Sequence, residues 1–207
     1  ERIDYDGDPE QPLLTYLREE RGIISPKDGC APQAACGCCV VQVNEKALLS
    51  CVTPMKKVEG ARITTTEGLG EYRQQVMANA FVAKGGVQCG FCIPGIVMQA
   101  NALIDRNPDP SKEEIAQSLH PHLCRCTGYK KIVESIEYAA EAIRNEDMIT
   151  LPKGDGKVGS RHAKYKAQDL VLGQHRYVDD IKLEGMVHGA LKFSDHPRAK
   201  VLKIDTS

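Results

Sequence analysis

Cys89-Gly90-Phe91-Cys92 is the stretch that decides how this chain folds, and Cys124-Arg125-Cys126 lies thirty-two residues further on. Thiolates are metal ligands, and several of them must converge to hold one metal centre. A second group of cysteines precedes this stretch and consists of Cys30, Cys36, Cys38, Cys39 and Cys51. Together the two groups contain all nine cysteines of the chain. We therefore expect the rest of the sequence to position two thiol sites.

The composition is that of an ordinary globular protein, with 207 residues, 42% hydrophobic and 27% charged content, and a net charge of −1. This charge balance does not indicate a nucleic-acid-binding surface. No apolar run is long enough to cross a bilayer, and no signal peptide is visible at the start of the sequence. We expect no nucleic-acid partner and no membrane association.

The cysteines are odd in number and occur in tight groups, whereas a disulfide framework spreads its cysteines over a small secreted domain. Metal ligation in a reducing compartment explains this pattern better, although disulfides remain an alternative. The pattern predicts a cytoplasmic protein.

The first seventy residues are rich in predicted strands, and the next seventy-five are helical. Strands are predicted at 2–6, 40–43, 47–52 and 61–66, with a short helix that breaks near Gly22 and a loop of small residues around the first cysteines. Helices are predicted from about residue 72 to 84, from 93 to 104, from 111 to 119 and from 131 to 144. A linker follows at about 145–161, and two further strands are predicted at 187–193 and 199–204.

The first cysteine group has the spacing C-x5-C-x2-C, followed by Cys51 twelve residues later. The plant-type [2Fe–2S] pattern is C-x4-C-x2-C with a distant fourth cysteine, so this chain is one residue longer in its first interval. Cys30, Cys36, Cys39 and Cys51 are the predicted ligands. Cys38 is surplus and could substitute for a neighbour. Zinc is the competing metal, because C-x2-C pairs also build tetrahedral zinc sites.

The second group combines a C-x2-C pair with a C-x-C pair, and the latter spacing is uncommon in zinc fingers. Two four-thiolate sites so close in sequence indicate a relay. Because iron changes its oxidation state and zinc does not, a relay predicts iron and electron transfer.

Three motifs resemble those of the molybdenum hydroxylase family, which includes xanthine dehydrogenases and aldehyde oxidoreductases. They are Cys36-Gly-x-Cys39, Gln88-Cys89-Gly-Phe-Cys92-x-Pro-Gly95 and Cys124-Arg-Cys126-Thr-Gly-Tyr129. The resemblance implies an α+β chain with a β-grasp, ferredoxin-like [2Fe–2S] domain at 1–70 and a four-helix [2Fe–2S] domain at 71–146. It further implies a linker at 147–161 and, at 162–207, the truncated start of an α/β molybdopterin-binding (hammerhead) domain.

The resemblance also implies the roles of individual residues. The cluster of the helical domain would use Cys89, Cys92, Cys124 and Cys126, and the other cluster would use Cys30, Cys36, Cys39 and Cys51. Gln88 and Cys126 would contact the molybdopterin. Two departures from the family pattern concern the first loop: it has Ala-Pro-Gln-Ala-Ala between its first two cysteines, and Cys38 stands where a small residue is usual.

The expected function is electron transfer within an enzyme that hydroxylates a purine, another N-heterocycle or an aldehyde. The chain has no room for a flavin (FAD) domain, so electrons would leave through the first cluster to an external acceptor protein. The molybdopterin domain would belong to the same or an associated chain, in a homo-oligomer or hetero-oligomer. Three alternatives stay open: a separate iron–sulfur subunit, a non-enzymatic electron carrier or redox sensor, and a zinc-binding interaction module.

Two of the conspicuous polar residues also have plain structural interpretations. His122 precedes Cys124 closely and could touch a cluster, but a solvated loop histidine is the simpler expectation. Gln88 could be a helix-capping amide, and only the motif indicates more.

Overall fold

A short antiparallel sheet is organised around one fully buried strand. In the computed structural model, which describes residues 2–187 and 189–205, this strand is β1, Val40–Val43. It lies between β2, Lys46–Leu49, and β3, Ile63–Thr64. Asn44 and Glu45 close the β1–β2 hairpin with positive φ angles of 47° and 69°, as a two-residue hairpin turn requires. The predicted hairpin is thus present.

The side chains of β1 alternate between two apolar layers, which explains why the whole strand is buried. Val41 and Val43 pack with Leu13 and Leu17 in one core cluster. Gln42 points the other way, where Asn101 donates to its Oε1 atom at 3.3 Å. The strand therefore joins the sheet to the helical part of the chain.

Two strand predictions in this region need correction. The second hairpin strand ends at Leu49, and Ser50–Val52 forms a 3-10 turn instead. The predicted strand at 61–66 is reduced to the two residues of β3. β2 pairs with all four residues of β1, whereas β3 pairs only with Gln42 and Val43.

The predicted strand at 2–6 is wrong, because these residues pair with no other strand. Instead, the Tyr5 ring packs edge-on against Tyr16, with 5.1 Å between the ring centroids. Tyr16 belongs to a short helical segment: α1, Leu13–Thr15, continues as a π-helical turn, Tyr16–Glu20. The segment ends just before Gly22, as expected.

The four predicted helices are all present. They are α2, Glu71–Lys84; α3, Ile93–Arg106; α4, Lys112–Ser118; and α5, Lys130–Arg144. Two local signals are confirmed: Gly85 ends α2 in the left-handed conformation, and Ser111 and Glu114 form the expected capping box of α4. Helix α2 packs on α5, and α3 packs on β1 and α4. The α+β architecture is therefore confirmed.

One helix was not predicted from the sequence. Helix α6, Ala167–Leu172, packs against α2 and α3, and its Leu172 carbonyl accepts a hydrogen bond from Thr66 at 2.6 Å. The signal was present in the spacing of Ala167, Leu170 and Val171, which are buried, and in Gly173, which ends the helix at φ 75°.

The chain divides into two units, one up to Arg176 and the other from Tyr177 onwards. Within the second unit the strands predicted at 187–193 and 199–204 are absent from the described residues, and His188 lies outside them. Apolar side chains here stay exposed, including Leu191, Leu202 and Ile204. A strand needs a partner for its backbone groups, and this unit provides none within its described part. No helix in the described parts of the chain is both long and apolar enough to span a membrane.

Candidate metal centres

The nine thiols form two sets, and all nine are free of disulfide bonds. Within each set the thiols hydrogen-bond to one another. In the first set Cys36 is hydrogen-bonded to both Cys30 and Cys38, and Cys39 is hydrogen-bonded to Cys51. In the second set Cys92 is hydrogen-bonded to Cys124, and Cys89 to Cys126. The structure thus brings together the cysteines that the motifs grouped.

The loop of the first set directs backbone N–H groups at sulfur. Hydrogen bonds from the backbone of Ala35, above all, and of Gln33 and Cys36 lower the pKa of the Cys30 thiol, although partial burial opposes them. The Gln33 nitrogen lies 3.3 Å from Cys30 Sγ. Ala31 and Ala34 adopt φ angles of 56°, a conformation that side chains other than glycine seldom take. The extra residue of this loop is accommodated by that irregular backbone, which favours a thiolate at Cys30.

Cys51 reaches the first set from the turn that follows β2. Ser50 secures this turn, because its Oγ donates to the Cys39 carbonyl at 2.6 Å. Burial first, and then the hydrogen bond and the charge of Cys39, raise the pKa of Cys51 to about 12. A buried thiol with such a pKa loses its proton only when a cation compensates the charge, so metal binding here must displace a proton.

The second set lies at the starts of two helices. Cys92 directly precedes α3, and the Cys124–Cys126 loop leads into α5. Helix N-termini carry partial positive charge and free N–H groups, which stabilise an anionic group bound beside them. Burial raises the pKa of Cys124, but hydrogen bonds from the Thr127 hydroxyl and from the backbone of Thr127 and Cys126 outweigh it, so that the pKa is lowered.

Tyr129 holds the Cys124 loop in place. Its hydroxyl accepts a hydrogen bond from the Cys124 N–H at 2.8 Å and donates one to the His122 carbonyl at 3.0 Å. Its own backbone has φ 67°, which is unfavourable for a bulky residue. The surrounding hydrogen bonds therefore maintain a strained residue beside the thiols.

We expect Tyr129→Phe to weaken the second site, because the substitution removes both hydrogen bonds and leaves the Cys124 N–H without its acceptor. The expected loss is about 1–3 kcal/mol in the free energy of unfolding. Urea unfolding followed by far-UV circular dichroism checks it. Tyr138→Phe is the matched control, because its ring keeps the contact with the Lys84 ammonium, 4.4 Å from the ring centroid. Equal stability of the Tyr129 and Tyr138 variants would contradict this role.

The loops of the two sets pack directly on each other. The Leu123 N–H donates to the Cys36 carbonyl at 2.9 Å. A Cβ atom on Gly37 would lie only 2.5 Å from His122 Nδ1, and one on Gly95, in the first turns of α3, would lie 2.4 Å from the Gly37 carbonyl oxygen. Glycine is therefore required at both positions, and the loops that carry the two thiol sets are in direct contact.

The expectation that His122 is solvated is wrong. Its side chain is only 3% exposed, and burial lowers its pKa to about 4, so the ring is neutral. Neither ring nitrogen has a hydrogen-bond partner. The structure places this ring against Gly37, between the two loops, because Leu119 and Tyr129 hold its backbone there.

Gln88, Cys89 and Cys126 are exposed, in contrast to the buried Cys92 and Cys124. Leu123 is also 56% exposed and belongs to the same loop as Cys126. The residues predicted to contact a pterin are thus accessible from outside the chain. Their contact with molybdopterin stays a prediction.

Each thiol set contains the donors that a [2Fe–2S] cluster takes. Such a cluster takes four cysteines, two on each iron, and each set brings four or more thiols close together. The His122 ring, buried without a partner between the sets, is a further polar group that a bound cluster's sulfur could satisfy. The donor set therefore fits the group.

Comparison with known proteins agrees with this geometry. The sequence family described as "[2Fe-2S] binding domain" matches residues 65–137. The chain is 37% identical over 212 residues to "Aldehyde oxidoreductase" of Megalodesulfovibrio gigas, covering 97% of this chain and 23% of that protein. It is 40% identical over 139 residues to "Nicotinate dehydrogenase small FeS subunit" of Eubacterium barkeri, covering 67% of this chain and 88% of that subunit.

The solved structure of aldehyde oxidoreductase from Desulfovibrio gigas superposes with a TM-score of 0.79 at 37% identity, over 86% of this chain and 20% of that one. The fold and the thiol sets therefore define an iron–sulfur protein of the electron-transfer class. The chain belongs to the molybdenum hydroxylase family, in which it corresponds to the iron–sulfur part. It spans less than a quarter of the length of the aldehyde oxidoreductase and most of the nicotinate dehydrogenase subunit.

Proposed function

We propose that this chain carries electrons through two [2Fe–2S] clusters within a molybdopterin-dependent hydroxylase. The observation that carries the proposal is the grouping of the free cysteines into two sets, in each of which the thiols hydrogen-bond to one another. The ligands are Cys30, Cys36, Cys39 and Cys51 in the first set, and Cys89, Cys92, Cys124 and Cys126 in the second. When bound, each cluster would supply one-electron chemistry.

The residues of the chain position the two clusters in series. Packing of the Gly37 loop against Gly95 and His122 keeps the sets adjacent and excludes water between them. Exposed Gln88 and Cys126 would face the molybdopterin at one end. The Cys30 loop, in which residues 31–35 are exposed and Cys30 is half-buried, would face the external electron acceptor at the other end. No flavin is required in this chain.

The domain organisation belongs to the same proposal. A β-grasp domain at 1–70 and a helical domain at 71–146 would be followed by a linker at 147–161 and the start of a hammerhead domain at 162–207. The match to aldehyde oxidoreductase over 97% of this chain supports it, because that alignment includes most of the tail. We further propose a cytoplasmic enzyme, oligomeric when assembled, acting on a purine, another N-heterocycle or an aldehyde.

A separate iron–sulfur subunit of a heteromeric enzyme is the second candidate. The match that covers 88% of the nicotinate dehydrogenase subunit favours it. The two candidates differ in which polypeptide holds the pterin. Denaturing electrophoresis of the purified native enzyme, with the peptides of each band identified by mass spectrometry, decides: the cysteine motifs within one large polypeptide support the first candidate, and the cysteine motifs in a small separate polypeptide support the second.

Iron analysis and electron paramagnetic resonance (EPR) test the proposal directly. After reconstitution and reduction with dithionite, we expect about four irons per chain and two distinct [2Fe–2S] signals. The signals differ because one set is carried by an irregular loop and a hairpin, and the other by two helix N-termini. A single signal, or zinc without iron, would overturn the proposal.

A further inference from the structure

Cys38 is the one cysteine of the chain that belongs to neither proposed ligand set. Its side chain is only 4% exposed, and it lies between two proposed ligands of the first site, Cys36 and Cys39. Cys38 is therefore a thiol enclosed within the protein at the first site.

Gly29 lies beside the sulfur of Cys38. A Cβ atom on Gly29 would lie 3.0 Å from Cys36 Sγ, 3.1 Å from Cys38 Sγ and 3.3 Å from Phe91 Cε1. Phe91 stands between Cys89 and Cys92, which are both proposed ligands of the second site. One small volume is thus bordered by a ligand of the first site, by Cys38 and by the aromatic ring of the second motif.

The backbone of Cys38 is held from both sides as well. Its carbonyl oxygen accepts a hydrogen bond from the Lys27 N–H at 3.0 Å. The same oxygen would lie 3.0 Å from a Cβ on Gly95, three residues after Cys92 in α3. The Cys38 thiol also points toward the Cys36 carbonyl at 3.7 Å. This residue cannot move away from either site without moving the loop.

Cys38 also adjoins the second site. The Phe91 ring borders the same small volume as Cys38 Sγ, and Gly95 of α3 faces the Cys38 carbonyl oxygen. A change of polarity at Cys38 therefore acts next to ligands of both sites.

We propose that Cys38 is a positioning residue shared by both iron–sulfur sites, and that its thiol sets the reduction potentials of both clusters together. The inference rests on the proposed function, since it requires two clusters. Cluster potentials depend on hydrogen bonds to the sulfurs, on burial and on solvent exposure. A thiol at this position is a weak donor and a polarizable group that keeps water out of the space between the sites.

Two substitutions separate the effect of the Cys38 side chain as a hydrogen-bond donor from its effect in excluding water. In Cys38→Ser a stronger donor replaces the thiol, stabilises the additional negative charge of the reduced clusters and raises both potentials. In Cys38→Ala the donor is lost, and both potentials fall. The measurement is a redox titration in which the two EPR signals are followed separately. Simple loosening of the loop would admit water in both variants and shift their potentials in the same direction.

Thr127→Val is the matched control, because the Thr127 hydroxyl lies 3.2 Å from Cys124 Sγ in the second set. We expect it to shift only the second signal. The inference is overturned if either Cys38 variant shifts one signal alone or neither signal, or if Cys38→Ser and Cys38→Ala shift the potentials in the same direction. Loss of iron from either Cys38 variant also overturns it, because Cys38 would then be a ligand or a purely structural residue. If the unsubstituted protein lacks two signals, the proposed function fails instead.

Discussion

Cys92→Ser is expected to abolish the second iron–sulfur centre and to leave the first one loaded. Iron should fall from about four to about two atoms per chain, and one of the two EPR signals should disappear. The effect is large because Cys92 is buried, is hydrogen-bonded to Cys124 and directly precedes α3. A serine hydroxyl is a far poorer ligand for iron in a cluster than a thiolate is.

The reciprocal variant provides the control for Cys92→Ser. Cys51→Ser alters a buried thiol of the first set, which is paired with Cys39 on the hairpin side of the chain. It should remove the other signal and a similar amount of iron. Iron determination with EPR on the two variants measures both losses. If the two variants lose the same signal, or if both lose all iron, the division into two independent sites is incorrect.

Gly37→Ala is expected to disrupt the packing between the two thiol loops. Gly37 has φ 69°, and an added Cβ would lie 2.5 Å from His122 Nδ1 and 2.6 Å from the Pro121 carbonyl oxygen. The left-handed backbone and the overpacking together should cost about 2–5 kcal/mol in the free energy of unfolding. Anaerobic urea titration, followed by circular dichroism and by the visible absorption of the clusters, measures this loss.

Gly60→Ala measures the cost of a non-glycine residue in the left-handed conformation without the steric clash. Gly60 has almost the same φ, 68°, but nothing lies within 4 Å of the added Cβ. This variant should lose only about 1–2 kcal/mol and keep both clusters. A Gly37 variant as stable as the Gly60 variant would show that the contact with His122 is not tight in solution.

Local signals explain why so much of the helical half could be predicted. The capping box of Ser111 and Glu114, the left-handed Gly85 and the Pro94 in the first turns of α3 each act within a few residues. Their effects on the backbone do not depend on distant parts of the chain. Predictions made from them agree with the structure to within a few residues.

The wrong predictions concern elements that form or fail to form according to packing partners, which the local sequence does not reveal. The apolar runs after residue 187 alternate as strands do, yet their side chains remain exposed and unpaired within the described part of the second unit. In contrast, α6 is short and preceded by Lys164 and Lys166, and it exists because α2 and α3 offer it a surface. Short elements owe most of their stability to packing and little to their own propensity.

By itself, the sequence determined the chemistry of this protein: nine cysteines in two groups, their spacing, and motifs that assign the chain to the molybdenum hydroxylase family. Only the tertiary structure decided how the groups meet. It buried His122 against Gly37, placed both Cys38 and Phe91 beside Gly29, and brought Cys39 together with Cys51. The physical reason is that ligand spacing is a property of neighbouring residues, whereas each of these contacts joins residues that are distant along the chain and that only packing brings together.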